Sequence, residues 1–139
     1  MSPFLFILMA EGLSCLIAAQ KGRGEIRGVK AHEGAPPQTD QQFVDDTMLM
    51  GHPSVQEARS FKNSFGLFSR ALGLVVNHNK SQVFFVNTPS ATQRNILRVL
   101  GFARGDFPSK YLGIPLGMGS LQQESWQELL DKLNKKFSS

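Results

Sequence analysis

Two adjacent carboxylates, Asp45 and Asp46, stand between apolar residues in the run Phe43-Val44-Asp45-Asp46-Thr47-Met48-Leu49-Met50-Gly51. Carboxylate oxygens are hard donors suited to Mg2+, an ion that keeps several of its waters when bound. Two such ions about 4 Å apart can activate an attacking hydroxyl and stabilise the leaving oxygen of an in-line displacement. Neighbours on a regular strand point to opposite faces, so both aspartates can serve one site only where the chain bends. Phe43-Val44 and Met48-Leu49-Met50 supply two short strands for a hairpin with the aspartates at its tip. The alternative is an ordinary solvated turn, where acidic residues are common. The carboxylates are contiguous, so the Asp-x-Asp spacing of aspartate-based phosphatases does not fit.

No other residue set has the spacing of a reactive site. His32, His52 and His78 are scattered without metal-ligand intervals. Cys15 is the only cysteine, which excludes an internal disulfide and an all-cysteine zinc site and accords with a reducing, intracellular setting.

The elements that must position the aspartates follow from local pattern. Ser2-Pro3 opens a helix as N-cap and first-turn proline. Apolar residues from Phe4 to Ile17 make it a helix buried over most of its surface, ending near Gly22 or Gly24. A secretory address is disfavoured because no basic residue precedes the apolar run and Glu11 interrupts it. A membrane span is disfavoured by the same charge and by the shortness of the run. Glu25 to Lys30 alternates like a short strand inside a polar stretch. Ser54 and Glu57 form a capping box before a helix whose face is Ala58, Phe61, Phe65, Phe68 and Leu72, with Gly73 as its C-terminal cap.

Leu74-Val75-Val76 and Gln82 to Val86 read as two strands joined by a turn at Asn77–Lys80. A second capping box, Ser90 and Gln93, opens a helix that stops at Gly101. Tyr111 to Leu116 is a short strand broken by Gly113 and Pro115. A last helix, about Gln122 to Phe137, places Trp126, Leu129, Leu130, Leu133 and Phe137 on one side. The layout is α+β.

A chain of 139 residues suits one small domain or a part of a larger one, and 41% hydrophobic content excludes disorder by composition. Charge is unevenly spread. Residues 1–58 hold four basic and seven acidic side chains, a net of −3. Residues 59–139 hold eleven basic and four acidic ones, a net of +7. An acidic half followed by a basic half suits a cation site beside a surface for a polyanion, although solvated surface charge explains it too.

Four segments, in order, resemble the reverse-transcriptase domain of plant-type non-LTR (LINE-like) retrotransposons. Ser2-Pro3-Phe4-Leu5-Phe6-Ile7-Leu8 looks like the end of the motif preceding the catalytic hairpin. Phe43-Val44-Asp45-Asp46 is similar to the aromatic-x-Asp-Asp catalytic motif. Gly73-Leu74-Val75-Val76-Asn77, continuing to Lys80-Ser81, resembles the G-L-x-x-N-x-x-K-S motif. Lys110-Tyr111-Leu112-Gly113-Ile114-Pro115-Leu116-Gly117 looks like the motif after that.

The resemblance implies a truncated polymerase palm over residues 1–117, a short antiparallel sheet with packed helices, and the start of a thumb-like helix over 118–139. It implies Asp45 and Asp46 as Mg2+ ligands and catalytic residues, with Lys80 on the triphosphate side, easing departure of pyrophosphate. Lys110, Tyr111 and Gly113 would lie near the primer. Lys132, Lys135 and Lys136 would face the nucleic-acid backbone, a salt-sensitive contact without sequence preference. The implied partners are an RNA template, a DNA primer and an upstream polymerase segment, with no membrane.

Three departures bear on activity. The family's earlier catalytic aspartate and its fingers have no counterpart here, so the chain is expected not to polymerise DNA alone. Thr39-Asp40-Gln41-Gln42 is polar where an apolar strand is expected, which should weaken the hairpin. Val44 stands where relatives usually carry alanine, a change expected to be mild in a strand. Other readings are a non-catalytic nucleic-acid-binding remnant and, with less support, a small secreted protein. A palm cut through its sheet should also expose strand edges and the apolar face of the first helix, and so seek a partner.

Overall fold

A computed structural model describes residues 3–117 and 123–138. The expected N-cap at Ser2, the boundary near residue 118 and the helix start at Gln122 lie outside them. Within them the chain is mixed α+β, with helices α1 (Pro3–Gly22), α2 (Val55–Leu72), α3 (Ser90–Leu100) and α4 (Gln123–Phe137). The strands are β1 (Asp40–Phe43), β2 (Asp46–Leu49), β3 (Gln82–Val83), β4 (Ala103–Arg104), β5 (Ser109–Tyr111) and β6 (Ile114–Leu116). They form three separate two-stranded sheets: β1–β2 antiparallel, β3–β4 parallel and β5–β6 antiparallel.

The core lies where α1 crosses α2. Leu13 and Ile17 from α1 meet Ile26 and Phe61, with Leu49, Phe65 and Phe68 packed around them. Gln20 enters the same interface and its Nε2 donates to Ser64 Oγ at 2.7 Å. Helix α1 is not buried over most of its surface, as its composition led us to expect. Only Leu13, Ile17 and Gln20 are buried, while Phe4, Leu5, Ile7 and Leu8 are exposed. One neighbouring helix covers one side, and nothing among the described residues covers the other. At 20 residues α1 also meets the length and composition of a membrane span, contrary to the expectation that it is too short. Core helices and signal sequences pass the same test, and α1 does put one side into the protein core.

Helix α2 has the expected ends. Ser54 Oγ accepts from the Glu57 N–H at 3.1 Å, and Gly73 closes the helix at φ 67°. The reciprocal arm of the capping box goes elsewhere. Glu57 Oε2 accepts from the His52 N–H at 3.0 Å and Oε1 from Arg27 Nε at 2.8 Å. That buried carboxylate ties the loop after α1 to the start of α2.

Helix α3 packs against α2, and its expected serine cap is absent. Pro89 is the N-cap, and Gln93 Nε2 reaches back to the Thr88 carbonyl at 2.8 Å. Lys62 Nζ donates to the Val99 carbonyl at 2.6 Å, satisfying the C-terminal end of α3.

The strand expectations need three corrections. Glu25–Lys30 forms no strand, only an isolated bridge from Val29 to Gln38. Gly28 permits it: its φ is +75°, and a Cβ there would lie 2.5 Å from the Gln38 carbonyl oxygen. Leu74–Val76 is not a strand, and β3 pairs instead with β4, because the turn at 77–80 delivers the chain toward the end of α3. Tyr111–Leu116 is a hairpin rather than one broken strand. Leu112 (φ 54°) and Gly113 (φ 78°) form its two-residue tip, as a type I′ turn requires.

Candidate metal centre at the aspartate turn

The register of β1–β2 pairs Phe43 with Asp46, leaving Val44 and Asp45 as a two-residue loop. Asp45 therefore sits at the tip and Asp46 is the first residue of β2, the bend that adjacent carboxylates need to share a site. Both are exposed, and among the described residues neither side chain takes part in a hydrogen bond or ion pair.

The loop is strained at Val44, whose φ is 49°. The left-handed region suits glycine at this turn position and disfavours a β-branched side chain, at roughly 1–2 kcal/mol. Strand propensity is the wrong measure, because residue 44 lies in the turn. Strain of this kind is typically held by surrounding structure and concentrates at functional sites.

The polar stretch before the aspartates does not weaken the hairpin as expected. It is strand β1, and its side chains fasten the hairpin to α1. Ser14 Oγ donates to Asp40 Oδ2 at 2.6 Å, and Thr39 Oγ1 donates to Asp40 Oδ1 at 2.9 Å. Gln42 Nε2 donates to Ser14 Oγ at 2.8 Å and to the Ala10 carbonyl at 3.0 Å. Sequence pattern missed these positioning residues, because it scores polar residues on a strand as solvent-facing. The alternation of Asp40 and Gln42 on one face was the signal available.

The remaining candidates divide by location. Tyr111, half-buried in β5, has its ionisation pushed above the ordinary value of 10.0, first by burial and then by the negative charge of Asp46. Its hydroxyl is buried without a hydrogen-bond partner. Lys110 and Gly113 flank it, both exposed, in β5 and the hairpin tip. Lys80 is exposed in the 77–80 turn, where its backbone N–H donates to Asn77 Oδ1 at 3.2 Å. No hydrogen bond or ion pair joins its side chain to the aspartate turn. Lys132, Lys135 and Lys136 are exposed along α4, which packs against β6.

Two carboxylates at a bend fit a hard divalent cation completed by water, but they are a partial donor set. Among the described residues no group of three or more His, Cys, Asp or Glu could hold a metal ion. No protein-family model matches the chain, and no solved structure matches it.

The Asp46–Tyr111 pairing gives a direct prediction. Asp46→Asn removes a negative charge, so the Tyr111 midpoint should fall toward 10.0 while the part due to burial remains. Tyr111 is the sole tyrosine, so an ultraviolet pH titration reads it alone. Because the folded value is raised, its contribution to stability is complete below the unfolded midpoint and is lost as pH rises through the folded one. Alkaline destabilisation should therefore be smaller in Asp46→Asn. An unchanged midpoint would place the carboxylate out of electrostatic reach.

Proposed function

We propose that this chain is the C-terminal palm portion of an RNA-directed DNA polymerase of the non-LTR retrotransposon type, unable to polymerise by itself. The observation that carries the reading is the Asp45–Asp46 pair at the tip of an antiparallel hairpin, between α1 and α2. The ordered motifs from Ser2 to Gly117 support it.

In the intact enzyme Asp45 and Asp46 would hold Mg2+, which supplies activation of the primer hydroxyl and charge neutralisation at the leaving pyrophosphate. Ser14, Asp40 and Gln42 hold the hairpin on α1 and so aim the carboxylates. Lys80 would place positive charge on the triphosphate side. The polyamide backbone around Lys110–Gly113 would border the primer, and the lysines of α4 would meet nucleic-acid phosphates. RNA template, DNA primer and an upstream polymerase segment are the partners, in an intracellular setting.

A primer-extension assay on an RNA template tests this. The purified chain should extend nothing, because two carboxylates leave the metal pair short of a ligand. Joined to the coding sequence found upstream in its own genomic locus, it should extend. Asp45→Asn in that longer protein should then cut the rate by about 1,000-fold, the several kcal/mol expected from losing metal stabilisation. Extension that survives Asp45→Asn would remove the catalytic assignment. Salt-sensitive binding of nucleic acid by the longer protein without extension would favour a non-catalytic remnant instead.

A further inference from the structure

From Ala58 to Gly105 the sequence holds seven basic residues and no acidic one. The flanking carboxylates are already engaged. Glu57 is buried against Arg27 and the His52 N–H, and Asp106 pairs with Arg104. Most of the basic residues stand on α2 and α3, two helices packed against each other. Arg59, Lys62 and Arg70, spaced i, i+3 and i+11, share the exposed side of α2, turned away from Phe61 and Ser64. Arg94 and Arg98, spaced i and i+4, share the side of α3 opposite the buried Ile96. Lys62 lies at the junction of the two helices, where its Nζ donates to the Val99 carbonyl.

These cations are uncompensated. Arg23, Arg27 and Arg104 each pair with a carboxylate, whereas among the described residues Arg59, Arg70, Arg94 and Arg98 have none. Like charges held together without counter-charge repel, and a polyanion relieves that repulsion. Beside the α2 stripe runs an open groove of about 690 Å³, bordered by Lys62, Arg70, Val75 and His78. The His78 ring is exposed and rests on Phe102, with ring centroids 5.0 Å apart. An aromatic ring beside phosphate-binding cations is the combination that holds single strands.

We propose that α2, α3 and this groove bind single-stranded nucleic acid, with phosphates on Arg59, Lys62, Arg70, Arg94 and Arg98 and a base stacked on His78. Sequence preference should be slight, because the contacts are charge and stacking. The cations wrap around two helices and a groove, a curved surface that a flexible strand follows better than a flat bilayer does. Most of them are arginines, whose forked donors suit phosphate oxygens. None of these residues belongs to the aspartate turn, to the Lys110 hairpin or to α4, so the surface does not rest on the polymerase reading.

Titrating the full chain into a fluorescein-labelled single-stranded oligothymidylate, read by anisotropy over a range of salt concentrations, tests the assignment. Contacts from all five cations give a log–log salt slope of about −3.5. Arg94→Gln and Arg98→Gln together should make the slope shallower by about 1.4 and weaken binding by on the order of 10-fold. Both side chains are exposed on α3, so far-ultraviolet circular dichroism should not change. His78→Ala, at alkaline pH where imidazole is neutral, should weaken binding about 5-fold and leave the slope as it is. A slope carried over unchanged into the Arg94, Arg98 variant would overturn the proposal, as would unchanged affinity in His78→Ala. So would a paired variant that loses binding to phosphatidylserine vesicles but keeps it for the strand. None of these readouts involves primer extension, so the result is separable from the fate of the Asp45 assignment.

Discussion

Ile17→Ala should lower the free energy of unfolding by about 3–4 kcal/mol, read as a shifted midpoint in urea denaturation. Ile17 is 0% exposed and stands at the α1–α2 crossing, in contact with the cluster of Leu13, Ile26 and Phe61. Truncation loses the transfer energy of the removed carbons and leaves a cavity that two rigid helices cannot close. Domains of this size hold only about 5–15 kcal/mol in total, and the fully buried apolar set here is small. The hairpin that carries Asp45 and Asp46 hangs on α1 through Ser14, Asp40 and Gln42, so loosening α1 should also loosen the aspartate turn. A shift below 1 kcal/mol would mean that the α1–α2 crossing is not the core of the protein in solution.

Glu57→Ala should cost about 2–3 kcal/mol, and Glu57→Gln noticeably less. The Glu57 side chain is 4% exposed and accepts two hydrogen bonds from outside its helix, one from Arg27 and one from the His52 N–H. Alanine leaves the His52 N–H unpaired and removes a negative charge from the first turn of α2, where the helix dipole favours one. Arg27 is largely exposed and can return to water, which keeps the loss below that of a fully buried pair. Glutamine retains an acceptor oxygen for His52 but not the charge, so its loss measures the charge, and the further loss in alanine measures the acceptor and the volume. Equal losses would show that the charge, rather than volume or the retained acceptor, governs the site.

What was legible in the sequence is what depends on neighbours along the chain. The ends of α2 follow from Ser54, Glu57 and Gly73, because a cap is a bond between residues three or four apart. A hairpin at the aspartates follows from two adjacent carboxylates between apolar residues, since only a bend lets them converge, but its tip was expected at Asp45-Asp46 and lies one residue earlier, at Val44-Asp45. Even there, the backbone of Val44 was misjudged, because propensity describes a strand and the residue is held in a turn by pairing on either side.

What only the tertiary structure decided is the choice among distant partners. Leu74–Val76 has the composition of a strand, yet β3 takes β4 across α3, because pairing depends on where intervening helices deliver the chain. The apolar run of α1 fits burial on every side, but coverage is a property of its neighbours, and among the described residues α2, the β1 hairpin and the loop bearing Ile26 cover one side of it. Asp40 and Gln42 read as solvent-facing until Ser14 is placed opposite them. Periodicity fixes which side chains share a face, and the packing of remote segments determines whether that face meets a core, a partner or water.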